Sequence, residues 1–107
     1  MADEPQVTIE ESEHPYRRIA AALVYDTERE PAPRVGASGR GRIADRIIAL
    51  AHEHGIPIRE DRVLAEALAQ LDLGDLIPPK LYQAVAEVLA FVYRLDVRRA
   101  ERLRGRF

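Results

Sequence analysis

After the paired prolines Pro78-Pro79 the chain runs KLYQAVAEVLAFVYRL to Leu95, sixteen residues in which the only full charges are Lys80, Glu87 and Arg94. Leu81, Val85, Val88, Val92 and Leu95 recur at three- and four-residue steps and so form one line along a helix. Ala84 and Phe91 widen that line, as do Tyr82, Ala86, Leu89 and Tyr93, which leaves Gln83, Glu87 and Arg94 as a narrow polar strip. Pro79 suits the first helical position, where a missing N–H costs nothing. A helix this apolar has to be covered on most of its circumference in water, so the rest of the chain must supply a layer for it to lie on.

At 107 residues the chain has room for one core. Ile19-Ala-Ala-Ala-Leu-Val-Tyr25 is a short apolar run closed by Asp26, the signature of a buried strand. A loop with prolines at 31 and 33 follows, and Arg34 to Ala37 reads as a second strand ending before Ser38. Ile43, Ile47, Leu50 and Ala51, supported by Ala44 and Ile48, predict the inner stripe of a helix that Gly55 stops. Ile56-Pro57-Ile58 is extended. Asp61 caps a helix whose inner stripe is Leu64, Ala67, Leu68 and Leu71, with Gly74 ending it. The expected fold is therefore a single α/β domain, a small central sheet of about three or four strands flanked by three to four helices. Its expected bounds are 15–96. Residues 1–14 carry five acidic and no basic groups and read as a disordered tail, whereas 97–107 hold five Arg against one Glu and read as a basic tail, helical or disordered.

Composition narrows the chemistry. The net charge of −2 provides no overall field for nucleic acid or an anionic membrane. Without Cys there are no disulfides, thiolate nucleophiles or cysteine metal sites. No run approaches the roughly twenty apolar residues of a membrane span, and the acidic start is unlike a signal peptide, so a cytoplasmic location is expected. Ser12, Ser38, Thr8, Thr27 and Lys80 are the available nucleophiles, none beside an oriented base. Glu60-Asp61 and the Asp72/Asp75 pair stand at helix boundaries, where capping is their ordinary role. His52 and His54 are two apart on a helix and point roughly 200° from each other, which denies them a shared ion. The reading is of a non-enzyme with no catalytic residue, metal or cofactor. Ser38-Gly-Arg-Gly-Arg42 reads as a strand-to-helix turn capped by Ser38. The alternative is a small anion- or RNA-binding regulator using that turn and the arginine-rich C-terminus, although no specific nucleic-acid partner is expected.

ALVYD at 22–26, APRV at 32–35, AHEHG at 51–55, IPIRED at 56–61, LGDLIPP at 73–79 and LYQAVAEVLAFVYRL at 81–95 occur in unbroken order. Together they resemble the cytoplasmic domain of the flagellar and type III secretion export-apparatus switch proteins, the FlhB/YscU family. The resemblance implies a small α/β domain that hangs from a membrane region beneath the export gate and takes part in switching between classes of export substrate. The chain is similar to stand-alone homologues of that domain. Expected partners are export-gate proteins, export substrates and the membrane portion of the full-length switch protein, with recruitment to the inner face of the membrane through them.

Family members cleave themselves at an Asn-Pro-Thr-His motif just ahead of the first strand, where the Asn side-chain amide attacks its own carbonyl. Alignment on ALVYD places Pro15, Tyr16, Arg17 and Arg18 there, and the sequence contains no asparagine, so this reaction has no nucleophile. The family's apolar patch for export substrates carries over to Ala32 and Pro33 in APRV and to Ala86 and Leu89 in AVAEVLA. Three of these four are small and would leave a shallow dimple.

Overall fold

The computed structural model describes residues 5–11 and 18–104. In chain order these form strands β1 (Val7–Glu11), β2 (Ile19–Val24) and β3 (Arg34–Arg40), helix α1 (Arg42–Glu53), strand β4 (Ile58–Glu60) and helix α2 (Arg62–Ala69). A 3₁₀ turn (Pro79–Leu81) then leads into helix α3 (Tyr82–Arg104). The sheet order is β3-β2-β1-β4, antiparallel except for the parallel β1/β4 pair.

Strand periodicity assigns the two faces. Val7, Ile9, Ile19, Ala21, Leu23 and Val35 point to the side covered by α2 and α3, where Leu64, Leu68, Val85, Val88 and Val92 meet them. The alternate residues, Thr8, Ala20 and Ala22, are also buried, and face α1. This is the layer that the apolar helix requires.

Strand β1 overturns the expectation of a disordered tail for residues 7–11, while 1–4 and 12–14 lie outside the described residues. Residues 7–11 fill a middle position of the sheet, with Val7 opposite Leu23, Ile9 opposite Ala21, and Thr8 beside Ile58. Val7 and Ile9 are fully buried. The VTI alternation is a strand signal that the surrounding acidic residues mask when composition is averaged over the segment. Glu11, also buried, lies 3.8 Å from the Arg62 guanidinium, which moderates the cost of burying its charge.

Helix α1 buries only part of the expected stripe, its alanines rather than all of its larger side chains. Ala44 and Ala51 are buried, while Ile43 is 61% and Leu50 41% exposed. The sheet meets this helix with Ala20 and Ala22, so small residues are buried on both partners. Ser38 does not cap the helix: β3 continues to Arg40, and the cap position is Gly41 at φ 59°, a left-handed conformation that favours glycine. Gly55, at φ 67°, does stop the helix. Helix α2 ends at Ala69, ahead of Gly74, and Leu64, Ala65 and Leu68 form its buried side.

Asp61 caps α2 as read from the sequence, accepting the Leu64 N–H at 3.0 Å. Asp61→Ala is expected to cost about 1 kcal/mol, seen as a fall of about 4–8 °C in the thermal midpoint; an unchanged midpoint would show the cap to be dispensable.

Glu10 stands beside Glu60 across the β1/β4 ladder. Burial pushes its pKa above the ordinary carboxylate value and the Glu60 charge adds to that, while His52 and Arg18 pull the other way. The ionised form is therefore disfavoured on folding, so its contribution is most favourable at low pH and is lost as pH rises through the folded-state pKa. Glu10→Gln is expected to raise the thermal midpoint at pH 7, by a margin that vanishes below the unfolded pKa of about 4.3. Melting curves of both proteins from pH 4 to 8 check this, and a margin independent of pH would contradict it.

Candidate functional site

The β2–β3 connection is held by its own short-range bonds. Asp26 accepts the Glu28 N–H on its side chain at 3.1 Å and the Glu30 N–H on its carbonyl at 2.9 Å, and Glu30 accepts from Arg34 Nε at 2.9 Å. Pro31 and Pro33 fix φ in the segment that follows, so Ala32 is delivered in a stiff backbone. It is buried.

A second segment reaches the same place from the far end of α2. Gly74 N–H donates to Val35 O, Asp75 O accepts from Val35 N–H, and Ile77 N–H donates to Pro33 O, at 2.8, 3.0 and 2.9 Å. These bonds cover the start of the β3 edge and seat Ile77 beside Pro33. The Pro78-Pro79 turn then sends α3 back across the sheet.

Helix α3 answers the covering requirement on one side only. Val85, Val88 and Val92 are buried and Leu81, Ala84, Leu89 and Phe91 pack around them. Arg59 places its guanidinium 5.1 Å from the centre of the Phe91 ring. The flank of Tyr82, Ala86 and Tyr93 is exposed, Tyr93 by 70%.

Between that flank and the proline loop lies an open cavity of about 200 Å³. Ala32 and Pro33 line it from the loop, and Ala86 and Leu89 from the helix. The structure thus brings together all four residues that the resemblance singled out. Tyr25, Pro31, Ile77, Tyr82 and Val85 complete the lining; sequence reasoning missed these. Tyr82 was legible as the position one turn ahead of Ala86, whereas Ile77 arrives through the backbone bonds to β3 and has no local signal. A cavity of this size is smaller than the roughly 300–1,000 Å³ of small-molecule sites, and its apolar lining suits one side chain of a partner.

The other candidates remain apart. Of the cleavage-motif positions, Pro15, Tyr16 and Arg17 lie outside the described residues, and Arg18 pairs with Asp45 at 2.8 Å. In the 38–42 turn Arg40 pairs with Glu66 at 3.1 Å and the Gly41 N–H is taken by Arg18 O, so no open cradle of donors forms. One His54 ring nitrogen lies 2.9 Å from Leu50 O at the end of α1.

Residues 15–92 match the model of the FlhB HrpN YscU SpaS family. The chain belongs to this family. It is 49% identical over 79 residues to YlqH of Bacillus subtilis, covering 74% of this chain and 85% of that protein. It is 40% identical over 93 residues to the flagellar biosynthetic protein FlhB of Aquifex aeolicus, and 47% identical over 77 residues to that of Salmonella typhimurium. The match covers 86% and 71% of this chain, but only 26% and 20% of those FlhB proteins. Among solved structures, the cytoplasmic domain of FlhB from Shewanella putrefaciens superposes with a TM-score of 0.82 at 31% identity, covering 94% of this chain and 79% of that one. The EscU C-terminal domain gives 0.76 at 28% identity, covering 85% and 81%. The FlhB-like fold expected from the six sequence blocks is the fold found. Among the described residues no helix is long and apolar enough to cross a membrane.

Proposed function

We propose that this chain is a non-enzymatic interaction module of flagellar or type III protein export, which holds an apolar anchor of an export-gate protein or an export substrate in the cavity between the proline loop and α3. The observation that carries this reading is the convergence of Ala32, Pro33, Ala86 and Leu89 on one open, apolar cavity. Two elements distant in sequence build it, and both are fixed by bonds to β3 or by core packing, so the cavity is preorganised and little ordering entropy is spent when a partner enters.

The sequence holds no asparagine, so self-cleavage by Asn cyclisation has no nucleophile and the module works as an uncleavable homologue of the switch domain. Any presence at the inner face of the membrane then comes from its partners, the membrane portion of the full-length switch protein included. The anion- or RNA-binding alternative is not favoured, because Ser38 to Arg40 lie within a strand and Arg40 is engaged by Glu66.

Co-purification from a flagellated host tests the reading. Gate proteins or hook-class substrates are expected with the parent chain and are expected to be lost with Ala86→Glu. Equal recovery with both, or unaltered motility and hook length after deletion of the gene, would overturn it.

A further inference from the structure

A second cavity, of about 280 Å³, continues along the same flank of α3, and Tyr25 and Leu89 line both. On the helix the two are joined by Tyr82, Ala86, Leu89, Tyr93 and Asp96, spaced four, three, four and three residues apart, which is one face over nearly four turns. The character of the lining changes along that face. Next to Tyr25, the first chamber offers only apolar groups and the Tyr82 ring. The second adds Gln6 and Thr27, and Asp96 stands at its rim. Among the described residues Asp96 forms no ion pair, and Arg29, the cation of the β2–β3 loop, pairs with Asp26 at 3.6 Å.

We infer that the two cavities form one groove with two readouts, and that the second chamber selects a Lys or Arg side chain on the same partner segment that puts its apolar anchor against Ala86. The inference rests on the docking reading above and names the chemistry of the occupant. A Lys or Arg has an aliphatic stem and a charged head. Leu89, Val92 and the exposed Tyr93 ring accept such a stem, and the Asp96 carboxylate meets the head at the solvent edge, with the tyrosine face as a further cation contact. An acidic side chain in the same place would meet Asp96 with like charge. Ala86 and Tyr93 are seven residues apart, about 10 Å along the helix axis. An extended partner covers that distance in about three residues, and a helical one in about seven.

The test uses synthetic capped peptides carrying one Leu and, three or seven residues away in either chain direction, a single Lys, Glu or Ala. Binding to the full chain is followed by amide-shift titration. In at least one spacing the Lys peptide is expected to bind about two- to fivefold more tightly than the Ala peptide, the increment of an exposed ion pair, and the Glu peptide more weakly. Asp96→Asn should abolish this ranking without affecting the Ala peptide, and 0.5 M salt should compress it. Ala86→Glu should weaken all of them. Equal binding of Lys and Glu peptides at both spacings, or a ranking that survives Asp96→Asn, overturns the inference while leaving the docking reading standing. Binding indifferent to Ala86→Glu, or no shift in either chamber with any peptide, overturns the docking reading and this inference with it.

Discussion

A chain that starts at Ser12 is expected not to fold. Strand β1 is paired on both sides, and its loss would leave β4 with no neighbour and expose the inner side of β2. Burying Val7 and Ile9 alone contributes about 3–6 kcal/mol. Against a total of about 5–15 kcal/mol for a domain, the loss of that burial together with two hydrogen-bonded ladders removes most of the margin. Circular dichroism and thermal melting are the measurements: the truncated chain should show no cooperative transition. Ile9→Ala, at about 2–5 kcal/mol, should be the milder version, with a transition retained but shifted down. A truncated chain that melts like the parent would mean that residues 7–11 are the acidic tail their composition suggests.

Ala86→Glu is expected to do the opposite, removing capture while leaving the fold alone. The Ala86 methyl is exposed on the open flank of α3, and glutamate is nearly as good a helix former as alanine, so the stability change should stay within about 0.5 kcal/mol. In the complex, however, the new carboxylate would face an apolar anchor in a chamber that offers it no cationic partner among its lining residues. Burying an unpaired polar group costs about 1–3 kcal/mol, a loss of about 5- to 150-fold in affinity. Calorimetric titration with the same partner segment, set beside melting curves, separates the two effects. Leu89→Ala is less informative because Leu89 also packs on the core.

How much of this was legible in the sequence depends on how local each signal is. The Val85, Val88, Val92 line, the Asp61 cap and the Ile19–Val24 strand are each set by residues within a few positions of one another, and each stands where periodicity and capping chemistry put it. Strand β1 is masked because its local signal, the VTI alternation, is short and set among acidic residues, and the pairing of Val7 with Leu23 and Ile9 with Ala21 that completes it is non-local. On α1 the expected stripe is buried only in part, because apolar size is a poor guide to burial on that helix. There the deciding feature is smallness, Ala44 and Ala51 against the alanines of β2, which leaves the larger Ile43 and Leu50 outward.

The site shows the same division. Ala32, Pro33, Ala86 and Leu89 were reached through the family resemblance, since nothing in their spacing says that a loop and a helix more than fifty residues apart share a cavity. Tyr25 and Ile77 become lining residues only through the sheet, one by leaving β2 at the right edge and the other by its bond to Pro33.

The central claim is that the flank of α3 facing the proline loop receives an apolar anchor from an export partner. Its most direct test is to titrate isotope-labelled protein with the N-terminal segment of a hook-class export substrate and map the amide shifts. The account predicts shifts centred on Ala32, Ile77, Ala86 and Leu89 that disappear in Ala86→Glu. Shifts confined to the Ile43 and Leu50 side of α1, or to the arginine-rich end of α3, would contradict it.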